Sequence, residues 1–180
     1  VIDVNAASLY LLDPVSKRLV VQAASGYQEI LMKQEPVPSY AWGEGVTGRI
    51  AASNQEFSAS SVDELREKAG GQPSGNYDAL YGNRRPNAFY GLPLKVASES
   101  QAIGVLKFER LEQKPFNAED KLLMHMMANV IAAVVFNADV SEKKLSSFSD
   151  NLKALSKALA TSQDRKSLMK EIVDTAAQVI

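Results

Sequence analysis

The sequence predicts an α+β domain in which antiparallel strands precede a long C-terminal helix. Three observations carry that expectation. Two pairs of apolar, β-favouring segments are each joined by a short polar turn. A glycine-rich turn between the pairs runs straight into helix-compatible residues. Late in the chain, apolar residues recur three and four apart over several turns without a Pro or Gly.

Residues 7–12 (Ala-Ser-Leu-Tyr-Leu-Leu) read as the first strand and end at Asp13-Pro14. The turn 13–17 joins them to residues 18–25, closed by Gly26. Pro36 and Pro38 then break the chain. The next stretch, Trp42-Gly43-Glu44-Gly45-Val46-Thr47-Gly48-Arg49, places three glycines at spacings of two and three. Glycine enters left-handed backbone conformations without steric cost, so the spacing marks a tight turn. A helix over 46–53 follows, with Thr47 placed to cap it and N–H groups exposed at its start. The stretch resembles a phosphate loop but lacks the Gly-Lys-Ser/Thr ending, and it fails the dinucleotide spacing.

Residues 56–58 read as a short strand and 62–69 as a short helix with Ser61 or Asp63 near its start. Residues 70–87 are rich in turn formers, and uninterrupted loops beyond roughly 12 residues are usually functional or mobile. Strands follow at 88–96 and 102–110, and Pro93 marks an edge or a bulge in the first of them. Asn117 caps the long helix, with Asp120 in its first turn. Its apolar series runs Met124, Met127, Ile131, Val134, Ala138, then Ser141, then Leu145, Phe148, Leu152, Leu155, Leu159. Such spacing is that of a coiled-coil seam. Leu123, Val130 and Val135 add a second apolar face to the first half, which must therefore also pack on the sheet. The stretch after Ser141 is apolar on the seam alone, which calls for a partner helix. After a break at 161–164, residues 168–180 form a further amphipathic helix.

Composition bounds the function. The 180 residues are 46% hydrophobic, with 20 basic against 21 acidic side chains and a net charge of −1. No basic excess marks a nucleic-acid or membrane-surface binder. There is no cysteine, which excludes disulfides, thiolate metal sites, Cys nucleophiles and covalently attached bilins. No apolar run reaches the roughly 20 residues of a membrane span, and no signal peptide is visible, so a cytoplasmic location is expected. The chain opens inside an apolar pattern, as a segment of a longer protein would.

In this order, five segments resemble a GAF domain, the small-molecule sensor module of phosphodiesterases, cyclases, histidine kinases and phytochromes. They are Ala7-Ser8-Leu9-Tyr10-Leu11-Leu12-Asp13, Gly43-Glu44-Gly45-Val46-Thr47-Gly48, Gly91-Leu92-Pro93-Leu94, Ile103-Gly104-Val105-Leu106 and Phe116-Asn117-Ala118-Glu119-Asp120. The resemblance spans about 7–136. It implies a GAF/PAS-like central antiparallel sheet with helices on one face, a ligand pocket on the other, and a last helix that runs out to pair in a homodimer. The implied organisation is a GAF domain over 1–138, a coiled-coil linker helix over 139–160, and an amphipathic helix over 161–180. That last helix either opens a following GAF domain or completes this one by swapping.

The resemblance places the pocket under the segment 57–89. Trp42, Phe57, Tyr77, Tyr81, Arg84 and Phe89 are therefore the candidate ligand-binding residues, where aromatic walls and a cation suit a planar anion. The bland alternative makes the aromatics core and the arginines solvated. Met127, Ile131, Val134, Leu145, Phe148, Leu152, Leu155 and Leu159 are the candidate dimer seam. Cyclic-nucleotide-binding members carry a motif whose aligned positions here are Glu109-Arg110, Phe116 and Asp120-Lys121. Phe116 and Asp120 match it, but its Asn and final Glu are missing, so Arg110 and Asp120 read better as a structural pair. His125, the single histidine, reads as packing or solvated, with a haem ligand or pH sensor as the alternative. No catalytic residue, metal ligand or cofactor is assigned, and the GAF-fold enzymes that reduce free methionine sulfoxide need cysteines. The expected role is a sensory domain that binds a small molecule and signals to a covalently attached output domain. A structural dimerisation module and a cyclic-nucleotide-binding domain are the alternatives.

Overall fold

The computed structural model describes residues 3–68, 86–96 and 100–138. Tyr77, Tyr81, Arg84, Leu145, Phe148, Leu152, Leu155 and Leu159 lie outside the described residues, as do the segments 139–160 and 161–180.

The first hairpin forms as its alternation predicts, from β1 (Ala6–Leu12) and β2 (Leu19–Gly26). Asp13 holds the turn by accepting from the Ser16 N–H at 2.7 Å. A bulge between Leu9 and Tyr10 inserts Gln22 into the facing strand. A 3-10 helix (Tyr27–Lys33) and the two-residue β3 (Ser39–Tyr40) lead to α1 (Gly45–Ser53). Neither the 3-10 helix nor β3 follows from sequence periodicity, because both are too short to show one. β4 (Phe57–Ala59), α2 (Val62–Lys68), β5 (Ala88–Leu94), β6 (Gly104–Arg110) and α3 (Ala118–Ala138) complete the described chain. The six strands form one antiparallel sheet in the order β3-β2-β1-β6-β5-β4.

Two helix starts use reciprocal caps. Asn117 Oδ1 accepts from Asp120 N at 2.8 Å, and Asp120 Oδ2 accepts from Asn117 N at 3.2 Å. Ser61 Oγ accepts from Glu64 N, while the Glu64 carboxylate accepts from Ser60 N. Each pair satisfies N–H groups that a helix start leaves open. Thr47 does not cap α1 as expected. The N-cap position is Glu44, one turn earlier, and Thr47 is buried inside the helix. Gly48 allows this geometry, because a Cβ there would meet the Ala41 carbonyl oxygen at 2.1 Å.

Alternation along the strands sorts side chains to two faces. One face, built from Leu9, Tyr90, Leu92, Leu94, Leu106 and Phe108, packs against Met124, Met127, Ala128, Ile131 and Val134 of α3. Met127, Ile131 and Val134, the described part of the expected seam, are buried in the chain's own core. A central sheet offers α3 more apolar area than a single partner helix does, so the richest stripe turns inward. The opposite face carries Tyr10, Leu19, Val21, Phe89 and Val105, covered in part by Leu31 of the 3-10 helix and by Ile50 and Ala51 of α1. Pro93 sits in β5, an interior strand, yet no β4 residue opposes it. On that side it is locally an edge, which accounts for a strand residue without an N–H.

Candidate functional site

The face away from α3 is unusual in what it buries. Ser8 and Tyr10 point there from β1, and Lys107 and Glu109 point there from β6. Ser8 and Lys107 are direct partners across the two strands. All four side chains are buried, with residual exposures of 2%, 0%, 6% and 1%. Buried polar atoms are normally hydrogen-bonded. Among the described residues, Ser8 Oγ, the Tyr10 hydroxyl and both amide atoms of buried Gln28 have no hydrogen-bond partner. Gln28 is one 3-10 turn from Leu31, which packs with Tyr10 and Leu19, so it belongs to the same face.

Aromatic rings frame these groups. The Lys107 ammonium lies 4.6 Å from the Tyr10 ring centre and 6.0 Å from that of Tyr40. Both contacts lie at or within the reach of a cation–π attraction. The Tyr10 and Tyr40 rings meet edge-on at 5.5 Å. Tyr27 donates its hydroxyl proton to the Glu109 carboxylate. Burial, reinforced by the Glu109 charge, holds the Tyr10 hydroxyl well above the ordinary tyrosine range. Burial pushes Tyr40 up to about 12. Ser8 Oγ and the Tyr40 hydroxyl are close enough to Tyr10 to oppose its shift, although neither bonds it in a sound geometry. Both phenols therefore stay protonated at neutral pH, as potential donors.

Of the sequence candidates, Trp42, Phe57 and Phe89 lie on this face. Phe89 is buried, and Phe57 meets its ring edge-on at 5.6 Å. Ser8, Tyr10, Gln28, Lys107 and Glu109 were not among the candidates. Their signal was the alternation Leu106-Lys107-Phe108-Glu109, which is also the pattern of an ordinary solvent-facing strand edge.

Two other polar clusters lie elsewhere. Arg110 is 1% exposed and ties β6 to α3. Its Nε donates to the Asp3 carbonyl at 2.8 Å, and its Nη1 donates to the Lys114 carbonyl at 2.7 Å. Its Nη2 is 3.6 Å from Asp120 Oδ2, and the guanidinium stacks 4.4 Å from the Phe116 ring centre. The cyclic-nucleotide motif positions are thus spent on a structural clip. His125 is half-exposed, with Nε2 at 2.8 Å from Glu56 Oε2 and 3.0 Å from the Tyr90 hydroxyl. Chiefly because the Tyr90 hydroxyl donates to it, Glu56 is held below its ordinary value. Among the described residues no group of His, Asp or Glu is arranged to hold a metal ion. No described helix is long and apolar enough to cross a membrane.

The GAF domain family model matches residues 1–135. The chain belongs to the GAF family. Its fold is similar to the GAF domain of a phosphoenolpyruvate-protein phosphotransferase from Coxiella burnetii. There the TM-score is 0.61 at 23% identity, covering 76% of this chain and 74% of that one. A GAF domain/HD domain protein from Geobacter sulfurreducens gives 0.60 at 11% identity, covering 79% and 87%. The type II free methionine-R-sulfoxide reductase of Thermoplasma acidophilum gives 0.51 at 17% identity, covering 72% and 77%. At these identities the likeness concerns the fold alone. No curated protein matches the sequence.

Proposed function

We propose that this GAF domain is a non-catalytic sensory module of a signalling protein, which binds a small molecule on the sheet face away from α3. The observation that carries this reading is the set of buried, unpartnered polar atoms on that face, from Ser8, Tyr10 and Gln28. Leaving such groups unmet costs roughly 1–3 kcal/mol each. A bound molecule that meets them removes that cost. Trp42 and Phe57, both half-buried, stand at the margin of the same face and suit contact with a planar portion of the ligand. The absence of cysteine supports a non-catalytic role against the reductase activity found on this fold.

Occupancy is relayed through the shared strands. Val105 and Phe89 belong to the ligand side, while their neighbours Leu106 and Tyr90 pack on the α3 side. The ligand acts by binding two arrangements of α3 with different affinity. In this reading α3 meets its counterpart in a homodimer through the stripe Leu122, Met126, Asn129, Ala133 and Phe136. These residues recur four and three apart and are all exposed. A single polar Asn is tolerated in such a seam and fixes its register. Glutamates at both Leu122 and Phe136 should convert dimers to monomers in sedimentation velocity. Unchanged sedimentation sinks this seam.

Calorimetry against cyclic nucleotides and common metabolites tests the sensory reading. The absence of any binder that Ser8 and Tyr10 substitutions abolish removes it. The edge-on packing of Phe57 on Phe89 favours the second reading, a dimerisation module without ligand, at that end of the face.

A further inference from the structure

Lys107 adds a charge to this face that the sensory reading alone does not explain. Its ammonium is held against two tyrosine rings. Among the described residues no carboxylate stands at ion-pair distance from it. A buried cation without a counter-ion is costly, since desolvation is not repaid by attraction. On the same face, Ser8 Oγ stands on the strand residue facing Lys107, and the Tyr10 hydroxyl is carried by the ring that the ammonium contacts. The cation and the two neutral donors share one buried face, and among the described residues neither hydroxyl has a hydrogen-bond partner.

We infer that Lys107, Ser8 and Tyr10 form a receptor for the carboxylate of a small metabolite, with the buried Gln28 amide available to the rest of the molecule. The inference rests on the sensory reading and names the ligand class for the same site. A carboxylate supplies the missing counter-charge and accepts from both hydroxyls, and charge-assisted bonds of this kind are the stronger ones. Glu109 selects the charge number. It lies two residues from Lys107 on the same face of β6, buried and bonded to Tyr27. Its negative charge opposes a second anionic charge on the ligand, which disfavours a phosphate dianion.

The test is calorimetry of the 180-residue chain against benzoate, propionate, the primary amide of each, and inorganic phosphate. NMR of the Ser8 and Tyr10 amides gives a second readout. The expected result is that a carboxylate binds at least tenfold more tightly than its isosteric amide and shifts both amides, with phosphate weaker. Lys107→Met should erase the preference for carboxylate over amide. Ser8→Ala combined with Tyr10→Phe should weaken the carboxylate at least fivefold, and it serves if the Lys107 variant does not fold. Equal or tighter binding of the amides, tighter binding of phosphate, or unaltered preference in the variants overturns the assignment. Neither carboxylate binding also overturns it. Neutral ligands bound at Ser8 and Tyr10 would then leave the sensory reading standing. No ligand of any class at that face removes both.

Discussion

The two faces of one sheet handle buried polarity in opposite ways. On the α3 side, the buried cation Arg110 is met by three backbone carbonyls, a carboxylate and an aromatic face. On the other side, among the described residues, Lys107 meets ring faces and no carboxylate at ion-pair distance, and Ser8, Tyr10 and Gln28 leave polar atoms unmet. The two cations are three residues apart on β6 and so point to opposite faces. A satisfied buried network fixes structure, whereas an unsatisfied one lowers stability until something else satisfies it. The α3 face thus holds the fold together, while the opposite face carries buried polar atoms with no partner among the described residues.

The sharpest break is Arg110→Ala. It strands Asp120, unclips β6 from α3, and should cost roughly 3–5 kcal/mol in denaturant unfolding, the usual cost of breaking a buried pair. A loss below about 1 kcal/mol would mean that the α3 face is not held by this clip. Tyr10→Phe should act in the opposite direction. It removes a buried hydroxyl that has no partner, so the unliganded chain should gain about 1 kcal/mol while ligand affinity falls. A destabilised Tyr10→Phe protein would show that the hydroxyl already has work in the fold.

The smallest effect belongs to neither interior. Glu56 has a depressed pKa through Tyr90 and His125. Its contribution is therefore present above the ordinary carboxylate value of 4.5 and is lost as pH falls through its lower folded value. With both Glu56 and His125 nearly half exposed, solvent limits the effect to less than about 1 kcal/mol. Glu56→Gln should lower stability above about pH 5 by that small, constant amount and remove the corresponding loss on acidification, so that the two curves meet at low pH. A large loss at neutral pH would show that this surface cluster belongs to the core.

Much of the fold was legible because it depends on local pattern. The hairpin of β1 and β2, the glycine entry to α1, the caps at Ser61 and Asn117, and the β5–β6 pair each carry their own signal. The site was less legible. Trp42, Phe57 and Phe89 were named for their aromatic character and lie on the proposed ligand face, but Lys107 and Glu109 looked like the wet side of a strand. The seam pattern carries a related ambiguity. Three-and-four spacing shows that one side of α3 is apolar, and it does not say whether a sheet or a second helix covers that side.

The sequence by itself determined the order of the longer strands and helices, because turns, caps and periodicity are interactions between residues a few positions apart; the 3-10 helix, β3 and the cap of α1 carried no such signal. It also determined that these 180 residues supply no thiol. Only the tertiary structure decided which polar residues are dry. Ser8 and Lys107 stand 99 positions apart and become neighbours only when β1 pairs with β6. Their loss of water arises only from that pairing and from what packs over it.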